Sequence, residues 1–275
     1  MSDAPAPEPP EPCLNCGTLV ELEFCPACGQ RRGDFRKSLW RLVGDVFRET
    51  LEFDGRLGRT LRAMVRPGRI TREFNLGKRQ RYVSPVRLYL FISLLMFAAA
   101  SLSLRLYAAD QPAEGGVTRL EFDDGIDEPS NGFDRLLQER IDELGKLPPG
   151  ERDKQIFTGV LDNGPIAMFV LLPVFALFLK LLFLGTGWLY VEHLVFSLHV
   201  HTVWFLFAIP VLALPFAWAP VFLVPVPFYT AFALQHAYDA SWWATGLRSV
   251  ALLFLYVNAM ALGLVGAFFM ALLLG

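Results

Sequence analysis

From residue 86 onwards the chain carries five apolar stretches, running approximately over 86–104, 165–184, 194–214, 219–235 and 248–274. Each is close to the ~20 residues that a helix needs to cross a bilayer. The expected fold class is therefore an all-α polytopic membrane protein with about five transmembrane helices. Composition agrees: 53% of the 275 residues are hydrophobic and 19% charged, against about 45–50% and 25% in a soluble domain. These proportions exclude wholesale disorder, a collagen-like repeat and a disulfide-rich secreted scaffold. The fourth stretch should be kinked or broken, because Pro210, Pro215, Pro220, Pro225 and Pro227 fall in and around it.

Six segments follow from the order of the chain. Residues 1–12 are Pro-rich and acidic, read as a disordered tail, and lack the features of a signal or transit peptide. Residues 13–32 hold all four cysteines, as Cys13-x2-Cys16-Gly17 and Cys25-x2-Cys28-Gly29. Two closely spaced pairs are a metal-site pattern. Each following glycine can take the positive φ that folds the backbone over a thiolate. Four thiolates suit a closed, structural zinc ribbon, with iron at a similar knuckle or a redox dithiol as alternatives. The ribbon staples a domain too small for a core, and a protein partner docking on it is the functional extension.

Residues 33–85 are basic: from Arg31 to Arg87 there are sixteen Lys/Arg against six Asp/Glu. Leu39, Val43, Val46, Phe47 and Leu51 form an apolar stripe, so 35–66 is expected along the membrane face with Trp40 at the interface. Gly55 and Gly58 should interrupt this helix, and Pro67-Gly68 should turn the chain. Arg66, Arg69, Arg72, Lys78, Arg79, Arg81 and Arg87 cluster beside the first span. Anionic lipid is their expected partner. Nucleic acid is disfavoured, since retention of positive charge beside a span already explains the bases.

The first transmembrane helix is expected over 86–104, and 105–164 is an insert with fourteen acids and seven bases. Phe133, Leu136, Leu137, Ile141 and Leu144 give the insert an amphipathic helix ended by Pro148-Pro149. Residues 165–275 complete a four-helix bundle. Basic flanks stay in the cytoplasm, which puts the N-terminus inside and the 105–164 insert outside, with Lys180 and Arg248 at cytoplasmic helix ends.

A second polar cluster enters the membrane: Glu192, His193, Ser197, His199 and His201, with His236 expected at the same level. Ionisable groups in a span are costly and face the protein interior or a water-filled cavity. Hydrogen bonding between helices, a metal or proton site, and interfacial placement are the three readings. At 100° per residue, His199 and His201 point about 200° apart and His193 and His199 about 120° apart. Glu192 and His199 differ by about 20°. They are therefore expected to form an inward pair, with His201 turned to another helix or to headgroups. In the last span, Ala259-x3-Gly263-x3-Ala267 permits close helix approach within the bundle or between copies. Asn258 beside it is expected to be buried and in need of a partner.

The cysteine pairs, Arg66-Pro67-Gly68, Gly77-Lys78-Arg79-x-Arg81-Tyr82-x2-Pro85 and Glu192-His193-Leu194-Val195-Phe196-Ser197-Leu198-His199 together resemble an uncharacterised bacterial membrane family, a domain of unknown function with an N-terminal zinc ribbon. The resemblance implies a bacterial inner-membrane location and no activity. The expected function is thus a non-enzymatic scaffold or regulatory protein. An intramembrane metalloenzyme built on the histidines and Glu192, and a transporter with a pathway at the broken fourth span, are the rivals.

Overall fold

The computed structural model describes residues 10–32, 55–110 and 146–274, together with isolated positions between 132 and 143. The stripe from Leu39 to Leu51, Trp40 and most of the expected insert helix lie outside the described residues.

The ribbon begins earlier than its first cysteine. Strand β1 (Glu11–Pro12) pairs antiparallel with β2 (Leu19–Val20). The basic segment then forms two short helices, α1 (Arg56–Met64) and α2 (Arg69–Asn75). Gly55 precedes the first of them, as a breaker should, but Gly58 lies within it. A lone glycine costs a helix only about 1 kcal/mol, and burial of Thr60, Ala63 and Met64 on one face outweighs that. The turn between α1 and α2 is at Pro67-Gly68, and Gly68 needs to be glycine twice over. Its φ is 74°, and a Cβ there would lie 2.5 Å from the carbonyl oxygen of Ala233.

The remaining helices are α3 (Pro85–Asp110), α4 (Pro149–Leu182), α5 (Tyr190–Ala213), α6 (Ala219–Leu223), α7 (Pro225–Tyr238) and α8 (Trp242–Leu274). Among the described residues, four stretches are long and apolar enough to cross a membrane: Pro85–Ser103, Asn163–Leu182, Tyr190–Ala213 and Trp242–Gly266. Both α3 and α4 extend beyond their apolar portions into the expected insert, so the insert contains the ends of two long helices. A polar extension needs no lipid, only a continued hydrogen-bond ladder.

The proline-rich fourth stretch is broken, as its sequence demands. It consists of a 3-10 turn at Phe216–Trp218, the five-residue α6, and α7. It nevertheless recrosses the bundle. Helix α5 is 24 residues long, or about 36 Å, and leads away from Tyr190. The return path pairs Thr230 with Trp204 and then Tyr238 with His193, in the first turns of α5. With this fifth passage, the N-terminal ribbon and the end of α8 fall at opposite ends of the bundle. Lys180 and Arg248 share the ribbon's end: Lys180 Nζ donates to the Trp188 carbonyl at 2.6 Å and Arg248 Nε to the Leu182 carbonyl at 3.1 Å.

Helix α5 is the axis of the fold, with 56% of its membrane window buried inside the protein. One side joins Ile70, Phe74, Leu88 and Tyr89 through Val195, Leu198 and Phe205. The other joins Phe175, Leu179, Leu234 and Tyr256 through Phe196 and Val200. Ala259 and Gly263 of the small-residue stripe pack inward, where a Cβ on Gly263 would meet Leu171 at ordinary contact distance, 3.4 Å. Asn258 departs from expectation, since it is exposed on the outer side of α8. One residue from the stripe is 100° around the helix, enough to carry it off the packed face.

Candidate metal centre and the polar layer

Each cysteine pair closes a tight knuckle. The amide of Gly17 donates to the Cys13 carbonyl at 2.8 Å and that of Gly29 to the Cys25 carbonyl at 2.9 Å. Both glycines have positive φ, 81° and 70°, which a side chain would resist. The knuckles face each other, with Cys13 Sγ 3.6 Å from Cys28 Sγ and Cys16 Sγ 3.5 Å from Cys25 Sγ. All four sulfurs lie within 4.8 Å of one another. A disulfide needs about 2.05 Å, and all four thiols are free. Tetrahedral coordination with bonds of about 2.3 Å separates sulfurs by about 3.8 Å, so the pocket is close to the size of a four-sulfur metal site. Among the described residues this is the one group of three or more His, Cys, Asp or Glu with that convergence. Hydrogen bonding from Thr18 pulls the Cys16 thiol down to about 6, while burial pushes the Cys28 thiol up to about 12. A cation held there would supply the countercharge that four thiolates need.

The ribbon is seated on the basic segment through one buried side chain. Gln30 Nε2 donates to the Gly77 carbonyl at 2.8 Å, and Gln30 Oε1 accepts from the amides of Arg79 and Gln80 at 3.3 and 3.4 Å. Below this contact, Tyr82 donates to Glu73 Oε2 at 2.6 Å and Arg69 to Glu73 Oε1 at 2.9 Å. Burial alone would raise the Glu73 carboxyl, but these two donors outweigh it and hold it below its usual value. The expected lipid-facing bases thus divide. Arg66, Arg72 and Arg81 are exposed; Lys78, Arg79 and Arg87 are half-buried, and Arg69 is engaged with Glu73.

Three of the four histidines are buried, and they do not converge. His193 Nδ1 lies 2.8 Å from the Tyr238 hydroxyl, with the rings stacked. His199 Nδ1 lies 3.0 Å from Thr71 Oγ1 on α2. His201 Nδ1 contacts the Ser197 carbonyl at 2.8 Å, and its Nε2 meets the Tyr256 hydroxyl. His236 is exposed and turned to its own helix, at the Phe232 carbonyl. The expected Glu192–His199 pair is corrected: Glu192 Oε2 accepts from the Leu189 amide at 2.8 Å and caps α5. Seven residues of rise separate the two side chains by about 10 Å along the axis, which angular alignment alone ignored. His201 does face another helix, but it is fully buried, as His193 is, so it is no lesser member of the set. Sequence reasoning missed Thr71, Tyr238 and Tyr256. A tyrosine in an apolar helix needs a partner for its hydroxyl, which was the available signal for the last two.

Residues 54–97 match the family model described as a protein of unknown function (DUF3667). That stretch covers α1, α2, the Gln30 seat and the first part of α3. No curated protein matches the chain, and no solved structure does.

Proposed function

We propose that this protein is a non-enzymatic scaffold or regulatory protein of the bacterial inner membrane. In this reading a structural zinc ribbon and a basic interfacial layer form a cytoplasmic platform on the five-crossing bundle. The observation that carries it is the Gln30 clamp, which ties the metal knuckles to the segment leading into the first span. Zinc suits a closed tetrahedral four-sulfur site with no open position for substrate. The ribbon also exposes Leu19, Leu22 and Phe24, a surface suited to a protein partner, while Arg66, Arg72 and Arg81 suit anionic headgroups. Segregation of the bases before the first span supports a cytoplasmic N-terminus and an external 105–164 insert. The separate partners of His193, His199 and His201 favour helix positioning over a shared catalytic metal.

Complementation of a deletion strain tests the role. Cys→Ser variants of the ribbon should fail while still accumulating in the membrane, whereas His199→Gln should complement. The opposite pattern would move the function into the bundle. Topology is tested by a cysteine placed at Ser130, which should react with an impermeant maleimide in whole cells. Protection there, with labelling near Asp34, would reverse the orientation.

A further inference from the structure

The last span is the least covered of the four, with 11% of its membrane window buried. Its inner edge is accounted for by Leu252 and Tyr256, both buried. The outer edge is apolar, as lipid requires, apart from Asn258. Its depth is fixed by the Tyr256–His201 contact, because His201 lies midway along α5 (Tyr190–Ala213). Asn258 is half a turn further on, near the centre of the bilayer. There its Nδ2 donates to the Phe254 carbonyl at 2.7 Å, and among the described residues it makes no other hydrogen bond. A carboxamide has two donors and an acceptor oxygen. Hydrocarbon satisfies none of them.

The surroundings of Asn258 have a repeat. Leu247, Ala251, Phe254, Asn258, Ala261 and Val265 follow at intervals of four and three, the spacing of a left-handed helix–helix seam. All but Ala251, which is partly covered, are exposed. Ala261 is small, and a Cβ on Gly266 would meet nothing, so a neighbouring backbone can approach closely. A single asparagine within such a seam sets register and favours a dimer.

We propose that two copies of this chain pair along α8 about a two-fold axis at Asn258, each carboxamide donating Nδ2–H to the other's Oδ1. A second copy is the occupant because the group is self-complementary. Two-fold symmetry places the same residue opposite itself at the same depth, whereas a different partner would need its own amide there.

The test uses the full chain labelled with donor and acceptor fluorophores and reconstituted into vesicles over a range of lipid dilutions. Wild type should show energy transfer that falls on dilution. Asn258→Leu, which suits lipid better and leaves the inner face intact, should dissociate at about tenfold higher protein density, and Asn258→Gln should stay close to wild type. Unchanged tryptophan emission checks the fold. Wild type that is monomeric at the highest density would overturn the proposal, as would Asn258→Leu that associates as strongly as wild type. A carboxamide satisfied within its own chain would appear as the first of these.

Discussion

Replacing Gln30 by alanine separates the ribbon from its seat without touching a sulfur. The contact at 2.8 Å is a full hydrogen bond and those at 3.3 and 3.4 Å are weaker. With a net worth of about 1 kcal/mol for a good bond and half that for each long one, the loss is about 2 kcal/mol. Undocking exposes the knuckles, so part of that energy is taken from metal binding, because metal affinity and local folding are one equilibrium. The apparent metal affinity should fall by about tenfold in a competition with a chelator. Backbone amides of Arg79 and Gln80 should exchange faster in parallel. Gln30→Glu keeps the acceptor and loses the donor, so it should fall between. If Gln30→Ala leaves both metal affinity and amide exchange at wild-type values, the ribbon is not coupled to the membrane segment, and the platform reading fails with it.

Four further outcomes are expected. The purified protein should hold about one zinc per chain, lost in Cys→Ser variants. Because binding expels thiol protons, and burial holds the Cys28 thiol near 12, affinity should fall steadily as pH falls, read by chelator competition across pH. His201→Ala should destabilise the bundle by about 1–3 kcal/mol through the orphaned Tyr256 hydroxyl, whereas His236→Ala should lie within about 0.5 kcal/mol of wild type in detergent melts. Gly68→Ala should cost more than about 2 kcal/mol, from positive φ and collision with the Ala233 carbonyl together, and a thermal midpoint equal to wild type would contradict the packing of α2 on α7.

The spans were legible because lipid imposes a length and a composition, and the broken fourth passage because proline has no amide to give. The knuckles were legible because four sulfurs need a local spacing and a glycine after each pair. The histidine partners were not, since Thr71, Tyr238 and Tyr256 lie 128, 45 and 55 residues from their partners. Helical angle gave the divergence of the three histidines correctly, whereas it mistook alignment of Glu192 and His199 for contact. The outward turn of Asn258 was hidden for a related reason. Sequence placed it beside a packed stripe, and only the neighbouring helix shows where that stripe's edge falls.

The burial of α2 against α5 also constrains how the chain is made. Residues 69–75 leave the ribosome long before their support exists, because His199 follows Thr71 by 128 residues. At about 5–20 residues per second, Thr71 waits roughly 6–26 s for its partner to be synthesised. Over that interval the faces of Ile70 and Phe74, fully enclosed at the end, have neither α5 nor α7 to cover them. Biogenesis cannot run as an ordered series of finished helices. Helix α2 can be set into its place only after α5 has been made and α7 has folded back along it.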